Sequence, residues 1–195
     1  MNYHKTLLFP ILLSAASLFA ADTHTFELTP TFGKNYSDKS SKMTNSDLLY
    51  GLKGTWKSAE DLGVEVGFEG GSDIMYVGED KTTSLYRVFA HAMLFGEEEY
   101  TLTPYVFVGA GYEFLSDNIQ GDPDQGLIDG GVGFSYSMYP FLNISIEAKA
   151  LSKLDTEDID YTGNVGFSFI FDENFKLNRT GNPFVRQTIM VEALD

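Results

Sequence analysis

From Thr25 to Phe171 the chain is built of eight successive stretches that alternate apolar and polar residues one by one, over approximately 24–34, 46–56, 61–73, 83–95, 99–115, 126–138, 141–152 and 159–171. Successive side chains of a strand point to opposite faces, so a period of two is the mark of a β-strand, and no helical period competes with it. Segments of about ten residues match a tilted strand that crosses a bilayer. The connections alternate too: 35–45, 74–82, 116–125 and 153–158 are long and polar, whereas 57–60, 96–98 and 139–140 are tight. That is up-and-down hairpin topology with long loops at one end and short turns at the other. A chain of 195 residues is enough for one such barrel and short for two domains.

The two faces separate cleanly. One collects Phe26, Leu28, Phe32, Leu48, Tyr50, Leu52, Trp56, Leu62, Val64, Val66, Phe68, Val106, Val108, Tyr112 and Phe114, then Val132, Phe134, Tyr136, Leu142, Ile144, Ile146, Tyr161, Val165, Phe167, Phe169 and Phe171. The other holds glycines, hydroxyl residues and almost every strand charge: Glu27, Lys53, Glu65, Glu69, Glu113, Asp129, Glu147 and Lys149. In strand four Tyr86, Val88, Ala90, Ala92 and Leu94 alternate with Leu85, Arg87, Phe89, His91 and Met93. Arg87 is placed inward, because a charge facing hydrocarbon at mid-depth costs about 2–4 kcal/mol.

An eight-stranded interior is only just wide enough for a modest filling of side chains, so the bulky set does not fit inside. Turned outward it meets lipid, while glycines and hydroxyls fill the lumen and the lumen charges pair. The expected fold is therefore an all-β, eight-stranded antiparallel up-and-down transmembrane β-barrel. Hydrocarbon offers no partner for an unpaired N–H or C=O, which makes closure of the sheet obligatory. Aromatic residues at the strand ends suit the membrane interfaces: Trp56, Phe95, Tyr100, Tyr139, Phe141 and Phe171 at the short-turn end, Phe32, Tyr112, Phe114 and Tyr161 at the long-loop end.

Residues 1–20 have the layout of a secretory signal peptide: a weakly basic start, the apolar run Leu7 to Ala20, then Ala21-Asp22-Thr23. Loss of Lys5 with it takes the net charge from −15 to −16, a balance that argues against nucleic acid, whose phosphates demand a clustered basic face. The absence of cysteine rules out disulfides, thiol catalysis and thiolate metal sites.

The segments PYVFVGAGYEF (104–114), GGVGFSYSMYPFLNISIEAKA (130–150) and YTGNVGFSFIF (161–171) resemble the N-terminal barrel of the outer-membrane protein A (OmpA) family. FELTP (26–30) and the register around Arg87 are most similar to the fibronectin-binding CadF-type members. The resemblance covers about 25–171. It implies a Gram-negative outer-membrane location, a structural and surface-interaction role, and adhesion to a host extracellular-matrix protein. Proteins of this type commonly continue into a peptidoglycan-binding domain; here 172–195 is expected to be a short periplasmic tail, and peptidoglycan is not an expected partner.

The lumen charges Glu27, Lys53, Glu65, Glu69, Arg87, Glu113, Asp129, Glu147 and Lys149 are the candidate site, an ion-pair network that fills or gates the bore. Asp117, Asp122 and Asp124, with Asp155, Glu157, Asp158 and Asp160, are expected to be loop acids of a solvated rim, since neither group has the ordered oxygen spacing of a calcium loop. Glu97-Glu98-Glu99 reads as turn solvation, and Lys34, Lys39 and Lys42 as a mildly basic loop tip facing lipopolysaccharide phosphate or acidic sugar. No catalytic residue, metal site or cofactor is expected. His24 lies at the N-terminal edge, His91 has no serine at a matching offset for acyl transfer, and Gly109-Ala110-Gly111 and Gly131-Val132-Gly133 precede no helix. Two alternatives stay open: a small ion channel or porin with a charge-plugged lumen, and a soluble lipocalin-like ligand-binding barrel with its faces inverted.

Overall fold

The computed structural model describes residues 25–37, 48–57, 61–75, 82–97, 101–116, 124–156 and 158–172. Its elements are eight strands: β1 (Thr25–Tyr36), β2 (Leu49–Lys57), β3 (Leu62–Met75), β4 (Thr82–Phe95), β5 (Leu102–Leu115), β6 (Gln125–Tyr139), β7 (Leu142–Lys153) and β8 (Ile159–Asp172). Each pairs antiparallel with its neighbours in sequence, and β8 pairs with β1 to close the barrel. The expected strand spans hold to within three residues: β2 begins at Leu49 rather than 46, and β5 at Leu102 rather than 99, after Thr101, whose positive φ of 71° turns the chain into the strand. The proposed signal peptide and C-terminal tail lie outside the described residues.

The alternation seen in the sequence becomes two faces of opposite polarity. Outward side chains such as Val108 (61 % exposed) and Ile146 (63 %) form an apolar surface, whereas Arg87 points inward and is 1 % exposed. A soluble barrel needs the reverse arrangement, so the lipocalin-like alternative falls here. The outer face requires an apolar solvent.

Aromatic pairs staple the strand ends. At the closing seam Phe26 on β1 stands opposite Trp56 on β2 and Phe171 on β8, with ring centroids 5.0 and 5.9 Å apart. Such cross-strand contacts favour one register. Tyr139 and Phe141 stack across the turn between β6 and β7 at 5.6 Å, and Tyr112 packs on Phe114 at 4.9 Å near the long-loop end. Phe95 departs from the expected girdle. It shares the inward parity of Arg87 and packs against Met93, Tyr105 and Phe107 inside the mouth of the lumen, under the ammonium of Lys57 at 4.4 Å. Tyr100 lies outside the described residues.

The lumen is not filled by glycines. Gly67, Gly109, Gly131 and Gly133 stand directly opposite Phe89, His91, Phe107 and Tyr105, and a Cβ on any of them would run into the facing ring. Each glycine is a socket into which an inward ring folds flat across the neighbouring strand. Near the long-loop end Ile74, Leu85 and Leu115 form an apolar layer over the charges below.

Val108→Arg tests the orientation, since substitution at an exposed position of a water-soluble protein shifts stability by about 0.5 kcal/mol or less. On a lipid face near mid-strand the loss is expected to be about 2–4 kcal/mol, read by urea titration of barrels folded into lipid vesicles.

Candidate functional site: the charged lumen

Strand parity brings the charges together. Odd-numbered residues of β2 to β7, up to the register shift in β3 past which Ile74 turns inward, and even-numbered residues of β8 face inward, so Lys53, Glu65, Glu69, Arg87, Glu113, Asp129, Glu147, Lys149, Lys153 and Asp160 all project into one narrow space. Each of the nine charged residues singled out in the sequence is buried and makes at least one ion pair. The structure assembles them into three groups.

Nearest the long-loop end is a closed four-membered ring. Arg87 reaches Glu113 at 2.8 Å and Asp160 at 3.1 Å, and Lys153 reaches the same two carboxylates at 3.2 and 3.1 Å. Arg87 also donates to Asn35 Oδ1 at 3.1 Å. Two bases face two acids, so the ring is neutral. Charge-assisted bonds from a guanidinium fork are among the stronger hydrogen bonds available, and the apolar layer beside Leu85 keeps solvent from screening them.

A longer chain runs through the middle. Lys149 binds Glu69 at 2.8 Å and approaches Asp129 at 3.8 Å; His91 joins Asp129 (Nε2, 3.0 Å) to Glu65 (Nδ1, 2.9 Å). Lys53 then links Glu65 at 3.3 Å to Glu147 at 2.6 Å, and Tyr105 donates to Glu147 at 3.3 Å. At the short-turn end Lys57 pairs with Glu27 at 2.6 Å. Below the chain a small cavity of about 20 Å³ is lined by Glu27, Lys53, Lys57, Glu65, Phe95 and the hydroxyls of Ser135, Ser145 and Ser168, among others.

Among the described residues seven lumen acids meet five bases, with His91 as a sixth when its ring carries a second proton. One oxygen each of Glu69, Asp129, Glu147 and Asp160 accepts no hydrogen bond from protein, leaving it available to water.

Asp160 corrects the expected acidic rim. It lies in β8, 0 % exposed, in the ring with Arg87 and Lys153. Lys153, expected in a loop, ends β7 with its side chain inward. Both follow the parity of residues already read as inward, Lys149 and Thr162: parity alone within 159–171 finds Asp160, and extending the seventh strand by one residue finds Lys153. Asp155 and Asp124 are exposed, and Asp124 Oδ1 caps the Leu115 N–H at 3.1 Å. Lys34 belongs to β1, its ammonium 5.8 Å from the Tyr36 ring, and Glu97 is exposed. Asp117, Asp122, Glu157, Glu98, Glu99, Lys39, Lys42 and His24 lie outside the described residues. No set of three His, Asp or Glu side chains poised to hold a metal ion occurs among the described residues.

No protein-family model and no curated protein matches the chain. Solved structures do. Neisserial surface protein A shares 15 % identity at a TM-score of 0.59, covering 76 % of this chain and 97 % of its own. The N-terminal β-barrel domain of Pseudomonas aeruginosa OprF shares 16 % at 0.51, covering 76 % and 100 %. The attachment invasion locus protein Ail of Yersinia pestis, in complex with the heparin analogue sucrose octasulfate, shares 16 % at 0.52, covering 77 % and 99 %. The fold is thus that of the eight-stranded barrels of bacterial outer membranes.

Breaking the upper ring tests its energetics. Arg87→Met leaves two buried carboxylates with one lysine and is expected to cost about 3–5 kcal/mol, whereas Arg87→Met with Glu113→Leu removes one charge of each sign and recovers most of it. Urea unfolding of both variants in detergent micelles reads the difference; equal losses would show that the ring is not a coupled unit.

Proposed function

We propose that this protein is a non-enzymatic outer-membrane barrel with a structural role and a surface-attachment role, its ligand-binding surface carried by the long loops. The observation that supports this reading best is the packed lumen. Glu69, Arg87, Glu113 and Asp160 are each at most 1 % exposed and lie across the bore beneath an apolar layer, which leaves the loops as the variable surface. The outward apolar face and the fold shared with outer-membrane barrels support the location, with membrane lipid and lipopolysaccharide as the immediate surroundings. The resemblance to CadF-type proteins makes a host extracellular-matrix protein the partner to test first, and the sulfated ligand of Ail makes an acidic glycan the second. Lys34, two residues before the end of β1, begins a basic stretch of sequence suited to such a ligand.

Purified mature protein folded in detergent is expected to bind immobilised fibronectin. Replacing 76–81 and 117–123 by short Gly-Ser turns should abolish binding while leaving the heat-modifiable gel shift of a folded barrel. Equal binding by the two forms would remove the adhesin reading.

A narrow ion channel is the second reading, favoured by the small polar cavity near the short-turn end that reaches Lys53 and Glu65. Here the Arg87 ring is the plug. In planar bilayers Arg87→Ala is expected to raise conductance well above that of the wild type; matching traces would end the gating role.

A further inference from the structure

His91 is the one member of the middle chain of a residue type that, unperturbed, changes charge near neutral pH, and its setting is specific. Its side chain is fully buried. Nδ1 lies 2.9 Å from Glu65 Oε1 on β3, and Nε2 lies 3.0 Å from Asp129 Oδ2 on β6, two strands away in the other direction. The ring spans that distance because Gly109 on the intervening β5 leaves its own lumen position empty of side chain. Phe89 and Phe107 hold the imidazole between them, with centroids 4.6 and 4.7 Å away and planes inclined by 19° and 34°. Neither carboxylate can donate when ionised, so both bonds exist together only if both ring nitrogens carry hydrogen. The aromatic faces on either side are the faces that attract a cation.

The charges around this ring make its proton consequential. β3 presents Glu65 beside it and Glu69 two inward positions away; β4 itself presents Arg87 at the same separation; β5 offers Tyr105 and Glu113, each two inward positions from Gly109; β6 presents Asp129. Lys53 on β2 and Lys149 on β7 act on the same two carboxylates, and Glu147 on β7 shares Lys53. In the chain from Glu69 to Glu147 four acids face two lysines. The only link between the Lys149 half and the Lys53 half shown by these contacts is His91.

We propose that His91 is a pH-operated latch: as an imidazolium it ties Glu65 to Asp129 and so couples β3 to β6 through the lumen, and on loss of one ring proton it releases one of the two carboxylates. The closed latch belongs to the low-pH side. As pH rises through the ring's titration, one donor becomes an acceptor that faces a carboxylate, and the middle chain separates into two ion-paired halves.

Nitrogen-15 and proton NMR of the histidine ring, recorded on the barrel in lipid nanodiscs, observes the device without any variant. At pH 6 both ring N–H groups are expected, protected from exchange. At a higher pH one is lost, and over that same interval the unfolding rate in urea rises about tenfold, the amount expected for one charge-assisted hydrogen bond. His91→Gln, which keeps an amide but cannot become a cation, should unfold at a rate independent of pH across that interval. A single neutral tautomer at pH 6 would overturn the proposal. So would a ring that stays cationic to pH 10, or unfolding rates of wild type and His91→Gln that change in parallel.

Discussion

Hydrocarbon has no hydrogen-bonding capacity, and that one property of the solvent dictates the rest of the molecule. A backbone N–H or C=O exposed to acyl chains costs several kcal/mol, so a chain that enters lipid as strands must pair β8 with β1 and leave no edge. Closure of eight strands in turn fixes a bore so narrow that a single arginine and its partners span it. Charges inside such a bore cannot be hydrated freely, and they persist only when paired. The ring formed by Arg87, Lys153, Glu113 and Asp160 and the chain running from Glu69 through His91 to Glu147 are both consequences of that confinement.

The lumen is also assembled with a division of labour between strands. β4 and β5 contribute the rings Phe89, His91, Phe107 and Tyr105, and β3, β5 and β6 contribute the glycines opposite them. An aromatic laid over a glycine fills the bore without widening it, and the pairing fixes register, because a shift by one residue would bring a Cβ against the ring and turn every charge towards lipid. Polar bonds and aromatic packing therefore support one alignment of the strands.

Strand number, topology and the polarity of the two faces were legible in the sequence, because a period of two is a local signal and needs no knowledge of partners. The nine lumen charges were legible for the same reason. Which charge meets which was not, since Arg87 finds Asp160 and Lys53 finds Glu147 across the barrel, and those distances depend on stagger and closure. Lys153 reads as a loop residue because the seventh stretch, taken as 141–152, stops one residue short of it, and Asp160, inside the eighth stretch, reads as a rim acid because its acidic neighbours Asp155, Glu157 and Asp158 belong to the connection. Phe95 suits the interfacial girdle by its chemistry, but its parity with Arg87 points it inward. In the sequence His91 reads only as a base lacking a serine, because its neighbours Glu65 and Asp129 lie 26 and 38 residues away in the chain, beyond the reach of any motif.

The central claim is that the apolar face meets acyl chains and the charged face does not. Nitroxide side chains attached at Val132 and Ile146 on the outer face, and at Ser135 in the lumen, of the barrel in lipid vesicles measure this through collision with oxygen, which partitions into hydrocarbon, and with a water-soluble nickel chelate. The account predicts strong relaxation by oxygen and almost none by nickel at Val132 and Ile146, with weak relaxation by either at Ser135. Strong relaxation by nickel at the two outer positions would place that face in water and contradict it.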